Sequence, residues 1–421
     1  MSGTIQLLRN SFVRAVMIST LFSQLGIWIR NFSILLYVME VSGGDSFAIS
    51  MISVAEYAPI FIFSFIGGVF ADRWRPKKTM VWCECLSSLS VFIVFAMLET
   101  GTWWVVFFAT LCSSILSQFA QPSGMKLFKN HVRDEDSQSC MSLLQTLTSV
   151  FMVLGPILGT FVYEQLGIEV SLLATSACFL LSACALVIVP TDQKPSENQE
   201  TKAFSLLHEM WDGIRYVFEN KLLLQLSLCF TLVGLGVGII SPLSIFLVTE
   251  QLDLPAEAIK WISIPYGLGE IIGGIVTFAL AAKITPQRFL LIGLLVNGVG
   301  IILAGLSTAI WLTMMAQFII ALLQPAIFIG NSALVMQHTD QKFIGRVMGI
   351  RTPLMTGAML LTMSVAGVLK SALSLTTMYE IAGFCFFAGF LVMIPLFRMG
   401  SATNFPVKKS LSTSNDAVRD R

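Results

Sequence analysis

Apolar residues run along this chain in blocks long enough to cross a bilayer. They do not form the narrow stripes of a soluble fold. A helix needs roughly 20 apolar residues to span the hydrocarbon. Twelve blocks meet that length, at 13–39, 47–71, 79–98, 102–122, 139–163, 169–189, 222–248, 259–282, 287–308, 311–336, 346–369 and 375–397. The fifth and eleventh are the least clean, because Gln145, Thr146, Arg351 and Thr352 fall near their ends. The connectors are short, so consecutive helices are expected to be neighbours. Only residues 190–221 form a long hydrophilic segment. The pattern predicts an all-α membrane protein of twelve transmembrane helices in two six-helix bundles. One bundle occupies 1–190 and the other 222–398, joined by a linker at 191–221 and followed by a polar tail at 399–421.

Within the linker, 190–202 is polar and reads as flexible. Phe204, Leu207, Trp211, Ile214, Val217 and Phe218 then recur at helical spacing among His208, Glu209, Asp212 and Arg215. This predicts an amphipathic helix at the membrane surface that tethers the halves. The N-terminus has no small-residue cleavage site, so the first block is expected to stay as an anchor.

Composition agrees with the blocks. The 421 residues are 55% hydrophobic and only 12% charged, against about 25% charged in a soluble protein. Mean hydropathy is +0.79. An ordinary soluble enzyme is excluded, and a net charge of +1 gives no reason to expect a nucleic-acid partner. Lys and Arg set the orientation. With both termini cytoplasmic, 23 of the 26 basic residues fall in inner segments. Only Lys260 and Lys370 are outside, and Arg30 lies within a span. A plasma-membrane protein, contacting lipid throughout and acting as a monomer, is the expectation. The eight cysteines sit in or beside apolar blocks without ligand spacing, and His131, His208 and His338 sit in connectors. No disulfide framework, metal site or cofactor is expected.

The two halves repeat. SVAEYAPIFIFSFIGGVFADRWRPKK (53–78) aligns with SIPYGLGEIIGGIVTFALAAKITPQR (263–288), pairing Ser53 with Ser263, Ala71 with Ala281 and Pro76 with Pro286. Gln121-Pro122 and Gln324-Pro325 occupy the fourth block of each half. Parallel half-repeats with a site between them are a transporter architecture. No GxSxG, HExxH or phosphate-binding glycine loop appears, so an enzyme or ATP-driven pump is not expected.

Four segments make the chain resemble the major facilitator superfamily over residues 10–398. GGVFADRWRPKK (67–78) is similar to the family's inner-loop motif, with Arg75 where the later glycine stands. LGPILGT (154–160) resembles the Gly-Pro-x-x-Gly-Gly motif of proton-coupled antiporters, with Thr160 in the last place. LVMQHTDQKFIGRVMGI (334–350) and GIRYVFENKLLL (213–224) resemble the drug:proton antiporter branch that includes macrolide-efflux proteins. The resemblance implies alternating access, with a gate built from Gly68, Asp72, Arg73, Lys77, Gly155, Pro156, Gly159, Gly345 and Arg346. The fifth-block glycines are expected where the two halves close. The fourth span, 102–122, lacks the arginine that many of these antiporters carry there.

Charges deep in a bilayer are costly and mark function or a partner. Arg30 and Glu56 both lie roughly 13–15 Å below the outer ends of adjacent antiparallel spans, so a direct ion pair is expected. That pair has two readings: a fixed device for helix register, or a coupling site in which Glu56 carries a proton or binds a cation. Glu270 sits mid-span with no basic residue of its own half at that depth, which suits a proton carrier. Glu84, nearer the inner end, is expected to pair with Arg73, and Glu380 to be interfacial. Asn31, Gln118, Asn297, Gln317 and Asn331 are further buried polar positions, many of them expected to be helix-to-helix glue. Gln24, Trp28, Tyr57, Gln121, Tyr266 and Gln324 are the expected substrate-binding residues, with aromatic faces for an apolar cation.

Two classes of function follow. The first is export of amphipathic, drug- or macrolide-like small molecules by proton antiport. The alternatives are a dedicated exporter of one natural product, such as a siderophore or peptide antibiotic, or a lipid-moving facilitator.

Overall fold

The computed structural model describes residues 10–63, 75–98, 102–131, 134–189, 214–281, 283–340 and 343–400. The helices are α1 (Ser11–Val41), α2 (Ser46–Phe63), α3 (Pro76–Met97) and α4 (Trp103–His131). Asp134–Val187 follows as one helical stretch broken only at Gly167, giving arms α5 (134–166) and α6 (168–187). The second half holds α7 (Lys221–Phe246), α8 (Ile259–Leu280), α9 (Pro286–Leu306), α10 (Ile310–His338), α11 (Ile344–Ala372) and α12 (Leu375–Gly400). Among the described residues, eleven stretches are long and apolar enough to cross a membrane, and one of them, Leu143–Val187, is 45 residues long and takes in most of α5 and all of α6.

Local chemistry sets the ends. Asn10 accepts a hydrogen bond from the Phe12 amide at 3.0 Å and caps α1. Asn220 caps α7 in the same way. Pro76 and Pro286, matched in the sequence repeat, each open a helix, where the missing N–H is harmless. The connector expected between the fifth and sixth spans shrinks to one residue. Gly167 has φ 74°, a conformation open to glycine, and the chain reverses there.

Helix contacts give two bundles. In the first, α1 packs on α5 and α6, α3 on α4 and α6, and α2 on α4; in the second, α7 packs on α11 and α12, and α10 on α8 and α9. The bundles meet along α2–α11 and α5–α8. Shifting every helix by six places exchanges those two pairs, so the interface has the pseudo-symmetry of the sequence repeat. The outer surface is apolar: Phe278 is 83% and Leu361 71% exposed. That suits contact with lipid.

Close helix approach depends on glycine. A Cβ on Gly155 would lie 2.2 Å from Cδ2 of Trp28, and one on Gly159 would lie 2.8 Å from Cβ of Phe32. The fifth-span glycines therefore seat α5 on α1 within one half, not at the junction of halves. At the junction, Gly267 of α8 faces the Met152 carbonyl of α5. Gly269 and Gly273 hold α8 against the backbone of α10.

Two further expectations change. Arg351, counted with the inner basic residues, is 3% exposed. It donates to Asn331 of α10 and lies 4.7 Å over the Phe230 ring. A basic residue is therefore buried in the second half after all. In the linker only 214–220 is described. Tyr216 stacks on Phe343, ring centroids 4.3 Å apart, and bonds to Asp340, fixing this segment to the second bundle. Residues 204–213 of the expected amphipathic helix lie outside the described residues.

Gly155→Val should lower the melting temperature of the detergent-purified protein, since overpacking costs about 1–3 kcal/mol. Gly274→Ala, where an added Cβ meets nothing within 4 Å, should leave it unchanged or slightly higher. Equal melting of the two variants would contradict this account of α1–α5 packing.

Candidate functional site

A cavity of ≈ 380 Å³ lies between the bundles. Helical periodicity explains its lining. Ser263, Tyr266, Gly267 and Glu270 form an i, i+3, i+4, i+7 stripe on α8, and Val237, Ile240, Ser241 and Ser244 form another on α7. Gln317, Ile320 and Gln324 enter from α10, and Trp28 and Phe32 from α1. Tyr57, Pro156, Asn297, Tyr379 and Phe386 complete most of the wall.

The aromatic and polar groups are ordered by contacts. Trp28 stacks on Phe32 with ring centroids 5.9 Å apart. Tyr266 donates to Oε1 of Gln324 at 2.6 Å. Asn297 is spent on the Gly293 carbonyl at 3.0 Å. Glu270 has no hydrogen-bond or ion-pair partner among the described residues. The cavity therefore presents one carboxylate among aromatic rings, hydroxyls and amides.

Arg30 and Glu56 do not pair directly. Arg30, 5% exposed, donates from Nε and Nη2 to Oδ1 of Asn31 and from Nη1 to Ser113 of α4 at 2.6 Å. Asn31 Nδ2 then donates to Oε1 of Glu56 at 3.0 Å. The amide sits between the charges, accepting from one and donating to the other. Neither Asn31's bridging role nor Ser113 was foreseen; the signal was Asn31's place next to Arg30. Glu84 lies against Ser23 and Ser182, and its expected partner Arg73 lies outside the described residues.

Of the expected binding residues, Trp28, Tyr57, Tyr266 and Gln324 share the cavity and Gln24 does not line it. The Gln121 side chain is outside the described residues. Ser241, Ser244 and Tyr379 were missed, although the α7 serines show the spacing of a shared helix face. Among the gate residues, Gly68, Asp72 and Arg73 lie outside the described residues, as does the side chain of Arg346, while Gly345 falls in the first turn of α11. Lys77 donates to the Val187 and Val189 carbonyls at the end of α6.

One end of the cleft is bridged across the halves. Lys260 meets Glu164 at 2.6 Å. Ser46 donates to the Gly367 carbonyl at 2.9 Å and contacts Ser371 at 3.0 Å.

The family model described as Major Facilitator Superfamily matches residues 16–230 and 226–415. The uncharacterized MFS-type transporter YkuC of Bacillus subtilis (strain 168) is 26% identical over 374 residues, covering 86% of this chain and 85% of that protein. Macrolide efflux protein A of Streptococcus pyogenes is 21% identical over 363 residues, covering 84% and 88%. The crystal structure of nucleoside transporter NupG superposes with a TM-score of 0.72 at 14% identity, covering 92% of this chain and 99% of that one. That last likeness is one of fold.

The Asn31 bridge makes a direct prediction. Asn31→Leu leaves a buried guanidinium and a buried carboxylate without their shared partner, a class of change that costs about 3–5 kcal/mol. Its melting temperature should fall well below that of the parent. A silent substitution would mean that the amide does not hold these charges.

Proposed function

We propose that this chain, which belongs to the major facilitator superfamily, exports amphipathic cationic small molecules in exchange for protons. Membership makes it a multi-pass membrane transporter of small molecules and not an enzyme. The observation behind the proposed cargo is Glu270, a carboxylate without a cationic partner among the described residues, facing a cavity walled by Trp28, Phe32, Tyr57 and Tyr266. A cargo with an apolar body and one positive charge supplies the missing countercharge, and the rings receive its body. An anionic cargo would meet like charge.

Glu56 is the coupling carboxylate in this reading. It is linked through Asn31 to a fixed positive charge, so protonating it changes the balance of a buried network. Both bundles contribute to the cavity wall. Rocking of one bundle against the other would therefore expose it to either side in turn. With the Lys260 end outside, the arrangement is closed outward. The chain would lie in the plasma membrane with both termini cytoplasmic. Relatedness to a macrolide efflux protein supports export as the direction.

Inside-out vesicles separate the two carboxylates. Adding a lipophilic cation to energised vesicles should dissipate the pH gradient with the parent protein. Glu56→Gln should abolish dissipation at equal protein abundance. Glu270→Gln should weaken lipophilic-cation binding at least tenfold. Normal dissipation by the Glu56 variant would remove its coupling role, and unchanged binding by the Glu270 variant would remove the cationic cargo.

A further inference from the structure

Glu270 has company on its face of α8. Tyr266 stands one turn before it, and Ser263 three residues before Tyr266, so all three look into the central cavity from one stripe. Both hydroxyls of that stripe have committed their hydrogen. The Tyr266 hydroxyl donates to Oε1 of Gln324 at 2.6 Å, and the Ser263 hydroxyl donates to the Ile259 carbonyl at 2.9 Å. A hydroxyl in that state offers only lone pairs to the space beside it. The stripe therefore sets two acceptor oxygens in line with a carboxylate. Glu270 lies near enough to Tyr266 for its charge to act on that hydroxyl.

Donors enter the cavity from other helices. They are the hydroxyls of Tyr57 (α2), Ser241 (α7) and Tyr379 (α12), and the amides of Gln317 and Gln324 (α10). Such groups suit oxygen atoms on the body of a cargo. A group lying against the α8 stripe gains instead by being a donor itself. This distinguishes kinds of cation that carry the same unit charge. A quaternary ammonium has no N–H and is held by charge and aromatic faces alone. A tertiary ammonium has one N–H, which Glu270 takes. A primary or secondary ammonium has a further N–H, and the Tyr266 oxygen is the acceptor one turn away.

We infer that the charged group of the cargo is a primary or secondary ammonium, with one N–H on Glu270 and another on the Tyr266 oxygen. The inference rests on the cationic-cargo reading and narrows it. Glu270 supplies the countercharge, and Tyr266 selects for the number of N–H groups. Gln324 is a positioning residue: by taking the phenolic hydrogen it keeps the Tyr266 oxygen an acceptor. Without it that hydrogen is free to turn toward the ammonium, which has no lone pair to receive it.

Three ligands on one ring scaffold test this: desipramine, imipramine and N-methylimipramine, which are secondary, tertiary and quaternary. Each carries one positive charge at pH 7. Their binding to the full chain in detergent can be measured by calorimetry. Desipramine should bind the parent protein about tenfold tighter than imipramine, the margin of one hydrogen bond to a charged group, and N-methylimipramine should bind weakest. In Tyr266→Phe and in Gln324→Leu the preference for desipramine over imipramine should shrink to about twofold or less. Equal affinity of the parent for desipramine and imipramine overturns the inference. A preference retained in either variant overturns it as well. If the three ligands bind alike and Glu270→Gln weakens them all, the ammonium selection falls and the cationic cargo stands. If none of them binds, both fall.

Discussion

Hydrocarbon offers no hydrogen bonds, so any polar group placed in it must find its partner inside the protein. That constraint organises this molecule. Serine and threonine hydroxyls along the helices mostly return to the carbonyl one turn back, as Thr175 does to Ser171. Where hydroxyls face another helix they pair across it, as Ser88 with Ser176 and Ser19 with Ser182. The deep arginines follow the same rule. Each is held by an asparagine, Arg30 by Asn31 and Arg351 by Asn331.

The halves use that shared device differently. In the first, the asparagine passes the contact on to a carboxylate, Glu56. In the second, Asn331 passes it to the Leu226 carbonyl, which carries no charge and cannot titrate. The acid of the second half, Glu270, stands apart in the central cavity. Two bundles of similar architecture therefore have distinct electrostatics. One keeps its acid inside a network and the other presents its acid to the cleft.

Much of the architecture was legible because lipid imposes it. Twelve apolar blocks, short connectors and a mid-chain polar break can fold in few ways. The cavity aromatics Trp28, Tyr57 and Tyr266 were also within reach, since depth follows from counting residues along a helix. Depth, however, does not fix azimuth. That is why Gln24, one turn from Trp28, was expected in the cavity and lies outside its lining. Arg30 and Glu56 were expected at matching heights and do share Asn31, yet the side chain between them depends on rotation about α1. Gly155 and Gly159 read as a motif, but which helix they admit is decided by long-range packing against Trp28 and Phe32. Arg351 looked like an inner-surface charge because only three dimensions reveal Asn331 beside it.

Gly167 has a mechanical consequence. A one-residue hinge between α5 and α6 leaves almost no slack at their shared end. α5 forms part of the cleft wall through Met152 and Pro156, while α6 turns Leu173, Leu180, Leu181 and Val187 outward. Any tilt of α6 that displaces its Gly167 end therefore displaces the adjoining end of α5 as well.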